Sequence, residues 1–471
     1  MTRPVLRDLS AAAAAVLLVV AAVLVGRSIE SGRRTLFVHW PPLFADWDPH
    51  VGPGTPAAVL VAAAGVAYGP VLAGRLRWRA LLAASWGTAL AWTWSLALVD
   101  GWRRGVATRL TTGNEYLRVV GRFHDIPAAL RDFTHHIVEG APAPWPAHIA
   151  GHPPAATLTF VLLDRIGLRG GGWAGAWCIT VGATACVAAL VAVRRTAGEE
   201  PARRAAPFLA LAPGAVWVGA SADGYFAAVA AWSVALLALA STCGTASARA
   251  AAAFGAGLLF GLTCYLSYGL TLFVLIGAGV LLVAPGRPGA RVRALPFLLA
   301  GAAVVPAVFT ALGFDWWEAY RLLVRRYYQG VGGIRPYGYW VWANLACTVF
   351  VVGLATVAGL GRAAGALFRH RSELVRYGGP WGGRREGAAG AARGGGRVRP
   401  EVRLAVLVLC ALLALLVADL SGMSKAETER IWLPFAVWLL PSCALLPRPR
   451  AWLTAQAVTA LLVNHLLLTG W

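Results

Sequence analysis

Glu115 sits between Asn114 and Tyr116 in a polar, aromatic stretch, Asp100 to Pro154, that separates two apolar regions. A glutamate in that setting suits a general base. Partial burial beside aromatic rings raises a carboxyl group toward the pH range where it can take a proton. A solvated loop carboxylate is the alternative for the same residue. His124 and Asp125 form a second pair, since a carboxylate orients an imidazole or shares a metal ion with it. Adjacent side chains ordinarily diverge, however, which favours a plain surface role. His135 and His136 fall on an expected amphipathic helix, Ala128 to Val138, facing water or headgroups. His152 precedes Pro153 and Pro154, which fix the backbone and open the next helix. Its imidazole is therefore held at a loop–membrane junction, as a ligand for phosphate or metal or as a structural cap.

Arginine supplies the complementary chemistry. Arg103, Arg104, Arg118, Arg122, Arg321, Arg325, Arg326 and Arg430 lie in the same set of polar loops, where a guanidinium can grip a phosphate with two hydrogen bonds. For any one of them, simple contact with lipid headgroups is the competing explanation. Trp316, Trp317, Tyr327, Tyr328, Tyr337, Tyr339 and Trp340 crowd these loops too. Interfacial aromatic belts use such residues, and so do sugar sites, which need flat apolar platforms for pyranose or furanose rings.

The elements that must position these residues are membrane spans. Of 471 residues, 58% are hydrophobic and only 13% charged, about half the charge of a soluble domain. Mean hydropathy is +0.63. Apolar windows near 9–25, 55–73, 80–98, 172–193, 205–220, 224–241, 250–266, 268–284, 294–312, 338–358, 402–419, 432–447 and 451–469 predict an all-α polytopic membrane protein with about 13 transmembrane helices. The first window follows Arg3 and Arg7 and is read as an uncleaved helix, since no small-residue cleavage site ends it cleanly. The net charge of +21 is carried almost wholly by arginine, Lys425 being the single lysine. Such charge belongs to cytoplasmic loops and not to nucleic-acid binding. Seven cysteines (178, 186, 243, 264, 347, 410, 443) lie in or beside apolar segments without metal spacing, which indicates neither a disulfide framework nor a zinc site.

Arginine clusters at 75–79, 194–204 and 287–293 mark inner connections, as does a stretch of ten arginines from Gly359 to Arg403. The glycine-rich part of that stretch, 378–396, reads as a linker without a core. These assignments agree only if residues 153–168 do not cross. That apolar piece is short and broken by Asp164 and Arg165, so a re-entrant or surface helix is expected. Loops 100–154, 313–337 and 420–431 then share the outer face, with a short turn at Ser221, Ala222 and Asp223. The expected organisation is 1–79 as two amino-terminal helices and 80–358 as the core. The inner linker, 359–403, and the carboxy-terminal helices, 404–471, follow.

The pattern resembles the GT-C superfamily of membrane glycosyltransferases, which take sugars from polyprenyl-phosphate carriers. In that superfamily the first large outer loop opens on an acidic residue followed by an aromatic and ends in His-Pro-Pro. Asn114-Glu115-Tyr116 and His152-Pro153-Pro154 match in order and spacing. Asn114 departs from the acidic pair, leaving Glu115 as the carried-over carboxylate. The Leu211-Ala212-Pro213 turn into a span around Asp223 is similar. So is Gly261-Leu262-Thr263 before Ser267-Tyr268, although the lysine that many members carry there is missing. The run Glu429-Arg430-Ile431-Trp432-Leu433-Pro434-Phe435 resembles a late outer-loop motif of bacterial mannosyltransferase- and arabinosyltransferase-like proteins. The likeness spans residues 80 to 445.

It implies a GT-C-like fold and an inverting sugar transfer at the outer face of a bacterial plasma membrane. The donor would be a polyprenyl-phosphate sugar and the acceptor a glycan, lipid or protein of the cell envelope, with Glu115 as base. Arg326, Arg430 and Arg118 would hold the donor phosphate. Asn114, Tyr116, His152, Trp316, Trp317, Tyr327 and Glu429 would line the substrate site. A divalent ion, magnesium or manganese, would be held by His124 and Asp125. The alternatives are a transporter or flippase, and a GT-C-like assembly partner without activity. The nearly charge-free spans argue against the transporter, and Asn114 is the one hint of the inactive partner.

Overall fold

The structure is a computed structural model and describes residues 3–219, 221–285, 288–370 and 398–470. It is almost entirely helical, with one two-stranded antiparallel pair joining Ala45–Trp47 to Leu467–Thr469. In hydrocarbon each backbone amide must find its partner within the chain, which leaves the helix as the natural span. Nine helices among the described residues are long and apolar enough to cross a membrane: Val5–Gly32, Thr55–Arg75, Trp78–Asp100, Gly171–Ala197, Ala222–Thr242, Ala246–Leu266, Arg291–Ala311, Tyr337–Arg369 and Pro400–Leu420. The chain is a multi-pass membrane protein by this measure.

Four expected windows take other forms. Window 205–220 is broken after the helix Glu199–Ala210 by Pro213 and Gly214, and resumes only as the single turn Ala215–Val218. Window 268–284 opens with a tight 3-10 turn, Tyr268–Leu272, before the short helix Phe273–Val283. Pro434 and Pro441 divide window 432–447 into short pieces. The last, Pro449–Leu466, is helical but carries Arg450, Gln456, Asn464 and His465. Hydropathy averages over a window and does not register a proline that removes a backbone donor. Irregular backbone at this depth is tolerated where protein covers it. The breaks satisfy that condition, since Leu211, Trp217, Leu433, Phe435, Trp438 and Leu440 are all buried. The helix Ala222–Thr242 lies at the centre, 78% of its apolar window being buried.

The expected non-crossing segment is the 12-residue helix Pro154–Arg165, too short to span the bilayer. The expected helix Ala128–Val138 is instead two pieces, Ile126–Arg131 and the turn Phe133–His136. Asp132 at the junction accepts from both His135 and His136 at 2.7 Å. The glycine-rich linker, 378–396, lies outside the described residues.

Polar contacts divide between two ends. At one, Arg203 donates to the Ala73 and Leu76 carbonyls, Arg204 to Leu446 and Arg450 to Ala67. Arg362 there grips Asp8 through both carboxylate oxygens. At the other end the loops 100–154, 313–337 and 420–431 meet. Arg326 pairs with Glu139 at 2.9 Å, the Lys425 amide donates to the Tyr327 hydroxyl at 3.1 Å, and Arg430 reaches the first loop. Residues 33–54 join them, with Arg335 donating to the Leu36 and Lys425 carbonyls. Asp100 gathers His50 at 2.9 Å and Arg109 at 2.8 Å, and Arg109 also donates to the Thr469 carbonyl.

The helices Ala246–Leu266 and Pro288–Ala311 cross at glycines. A Cβ on Gly257 would overlap the Leu298 carbonyl, and one on Gly301 the Phe254 carbonyl. Small residues let helix backbones approach closely in lipid. Gly257→Val is therefore expected to destabilise the protein by about 1–3 kcal/mol, seen as a lower melting temperature in detergent. Gly87→Ala, which adds a methyl group into open space inside the helix Trp78–Ala97, is expected to hold the melting temperature or raise it, by up to about 1 kcal/mol of stability.

Candidate active site

Four short pieces of chain meet below the gathered loops 100–154, 313–337 and 420–431. Glu115 precedes a tight helix, Tyr116–Phe123. His148 lies on the single turn Ala147–Ala150, set between Pro146 and Gly151. Asp223 sits in the first turn of the central helix, where the helix dipole favours a carboxylate. Arg430 lies on the turn Thr428–Ile431, reached through Ala426 and Glu427 in left-handed conformation, φ 70° and 61°. Such angles are uncommon for residues other than glycine, and they swing the third loop inward.

The side chains form one continuous chain of contacts. His148 Nδ1 lies 2.9 Å from Glu115 Oε1. His148 Nε2 lies 3.3 Å from Arg430 Nη2. Arg430 Nη1 donates to Asp223 Oδ2 at 2.7 Å, with Glu427 at 3.5 Å from the other nitrogen. Glu115 is 4% exposed and Arg430 and Asp223 are each 3% exposed. The His148 backbone is held as well, its amide donating to the Asn114 carbonyl at 3.2 Å and its carbonyl accepting from His152 Nδ1 at 2.7 Å. Tyr116 is buried against Phe160 at 5.2 Å and His152 at 5.9 Å between ring centres. Among the described residues, Glu115 Oε2 and the Tyr116 hydroxyl are buried without a hydrogen-bond partner.

Electrostatics sort these groups. Burial pushes the Glu115 carboxyl up, but the hydrogen bond from His148 and the nearby cationic groups hold it below the ordinary carboxylate range. Burial pushes His152 down to about 4, so its imidazole is neutral at pH 7. Burial opposes the charge on Arg430 as well, yet Asp223, Glu427 and Glu115 more than compensate and keep it cationic. Glu429 behaves differently. Fully buried, with Oε1 accepting from the Phe44 amide at 3.0 Å, its carboxyl is pushed by burial up to about 7.

The sequence-selected residues divide accordingly. Glu115, Tyr116, Asn114, His152 and Arg430 come together here, and Arg118 stands exposed one turn beyond Glu115. Arg326, Trp316, Trp317 and Tyr327 share the helix Trp316–Gln329 and are tied elsewhere. Trp316 donates to the Cys264 carbonyl and stacks on Tyr320, while Trp317 is exposed. Glu429 serves the loop at Phe44. His124 and Asp125 are exposed, and Asp125 caps the helix after it through Ala128. Among the described residues no three His, Cys, Asp or Glu side chains form a group able to hold a metal. Sequence reasoning passed over His148. Its signal was the spacing of four to His152 between prolines, which puts both imidazoles near one turn.

No family model matches the chain, and no curated protein matches it in sequence. Among solved structures it is similar to apo ArnT from Cupriavidus metallidurans, at 14% identity and a TM-score of 0.44, over 72% of this chain and 55% of that one. It is also similar to the Archaeoglobus fulgidus oligosaccharyltransferase in complex with zinc and sulfate, at 14% identity and a TM-score of 0.41, over 81% and 51%. The chain thus spans about half the length of these structures.

Removing one member of a buried ion pair strands the other, at about 3–5 kcal/mol. Arg430→Leu is expected to lower the melting temperature strongly, and Arg430→Leu combined with Asp223→Leu to recover part of that loss. Glu429 supplies a pH test. Its raised carboxyl stabilises the fold fully below its ordinary titration near 4.5, and that stability is lost as pH rises through about 7. Relative to wild type, Glu429→Gln should gain up to about 3 kcal/mol at pH 8 and little at pH 4, measured by thermal denaturation at the two pH values.

Proposed function

We propose that this chain is a membrane glycosyltransferase that moves a sugar from a polyprenyl-phosphate donor to an envelope acceptor at the loop-bearing face. The single observation that carries the reading is the Glu115 carboxylate. It is buried outside the spans, held ionised by His148 and Arg430, and keeps one oxygen without a partner. A carboxylate so placed is equipped to take a proton from a hydroxyl group.

In this reading Glu115 Oε2 removes the acceptor hydroxyl proton while the oxygen attacks the anomeric carbon. The bond from that carbon to the phosphate oxygen breaks, and the lipid phosphate leaves with the electron pair. The negative charge lost from Glu115 reappears on the phosphate, so the total is conserved. Arg118 and Arg430 supply positive charge toward the leaving group, and Arg326 joins them only by releasing Glu139. Phosphate is a good leaving group. The arginine-rich opposite end would face the cytoplasm, putting the site outside the plasma membrane of a bacterial cell. Tyr116 and His152 would form the apolar wall of the sugar pocket.

The test is turnover of a panel of radiolabelled polyprenyl-phosphate sugars by purified protein in lipid. Glu115→Gln preserves shape and removes the base, and should lower turnover roughly 10²–10⁴-fold. Turnover near wild type in this variant would exclude Glu115 as the base.

A further inference from the structure

We propose that His148 is a positioning residue, fixed by Arg430 as the single tautomer that carries its proton on Nδ1, which locks Glu115 through Oε1 and leaves Oε2 to face the acceptor. The inference rests on the transfer reading above and adds a residue that the resemblance did not supply.

The argument is one of donors and acceptors. A guanidinium has five N–H donors and no acceptor. Where Arg430 Nη2 approaches His148 Nε2 at 3.3 Å, that nitrogen must present a lone pair. The ring proton of the neutral imidazole is then on Nδ1, 2.9 Å from Glu115 Oε1, and the carboxylate accepts it. Asp223 holds the guanidinium from its far side at 2.7 Å. Each group thus dictates the state of the next, from Asp223 through Arg430 and His148 to Glu115.

The backbone reinforces the lock. The His148 amide bonds the Asn114 carbonyl, immediately before Glu115, so ring and carboxylate are referenced to the same short stretch of chain. His152 Nδ1 donates to the His148 carbonyl, closing the turn from the other side. Only two Glu115 oxygens exist, and one is committed. The buried second oxygen has no partner, an arrangement that costs stability in a protein interior and so favours a substrate hydroxyl there.

Asparagine can place an amide N–H near the position of imidazole Nδ1, and alanine cannot. Three measurements separate the possibilities. Isotope-labelled histidine NMR of the full chain in lipid, with the His148 signal assigned by its loss in His148→Asn, should show the neutral ring with its proton on Nδ1. An Nε2–H or doubly protonated ring would overturn the proposal. Difference infrared spectroscopy against Glu115→Gln reads the Glu115 carboxyl directly. Its titration should move to higher pH in His148→Ala and return toward wild type in His148→Asn. An unmoved midpoint in His148→Ala would sink the lock.

With any polyprenyl-phosphate sugar that wild type turns over, His148→Ala should lower kcat about 10²-fold and raise the acid limb of the pH profile. His148→Asn should recover most of that loss. If wild type turns over no donor while both spectroscopic results hold, the transfer reading fails and the lock stands. If wild type is active and His148→Ala keeps full activity with an unshifted profile, the positioning role fails and the transfer reading stands.

Discussion

A guanidinium taken out of water must meet opposite charge and have its N–H groups satisfied. Arg430 draws its partners from two distant parts of the sequence, Asp223 on the central helix and His148 in the first large loop, and from Glu427 in its own loop. Loop 420–431 therefore cannot take another course without stranding a buried charge. The left-handed Ala426 and Glu427 are the local strain that this arrangement absorbs. Glu115, held through His148, depends on the same anchor.

Much of this was legible from residue types and positions. Long apolar windows ended in arginine on one side and in aromatic, charged loops on the other, and the structure gathers those loops at one end. Glu115, Tyr116, His152 and Arg430 stood out because polar residues beside membrane spans are few. His148 did not, since its importance comes from partners 33 and 282 residues away, a relation with no local signature. The broken segments at 211–218 and 433–445 escaped for a different reason. A window average registers their hydrophobicity but not the missing donors of Pro213, Pro434 and Pro441. Those segments can be irregular only because neighbouring helices cover them.

The aromatic residues show how structure divides one compositional signal into several uses. Trp316 is fixed to the Cys264 carbonyl and stacked on Tyr320, while Trp317 on the next position is open. Tyr327 receives a backbone amide from the third loop, tying helix and loop together. Tyr116 alone among the sequence-selected aromatic residues packs within the Glu115 cluster. Sequence alone presented all of these as equivalent platforms. Helical phase separates them, since neighbouring positions point about 100° apart.

The short strand pair beside Arg109 has a topological meaning. Asp8 is clasped by Arg362 at the arginine-rich end, whereas Leu467–Thr469 pairs with Ala45–Trp47 among the loops at the opposite end. A bilayer lying between those two ends would be crossed by the chain an odd number of times, whatever the fate of each broken segment. The interrupted pieces can therefore gain or lose crossings only in twos. The broken segments at 211–218 and 433–445 would be bound by that parity, with Asp8 and Thr469 on opposite sides.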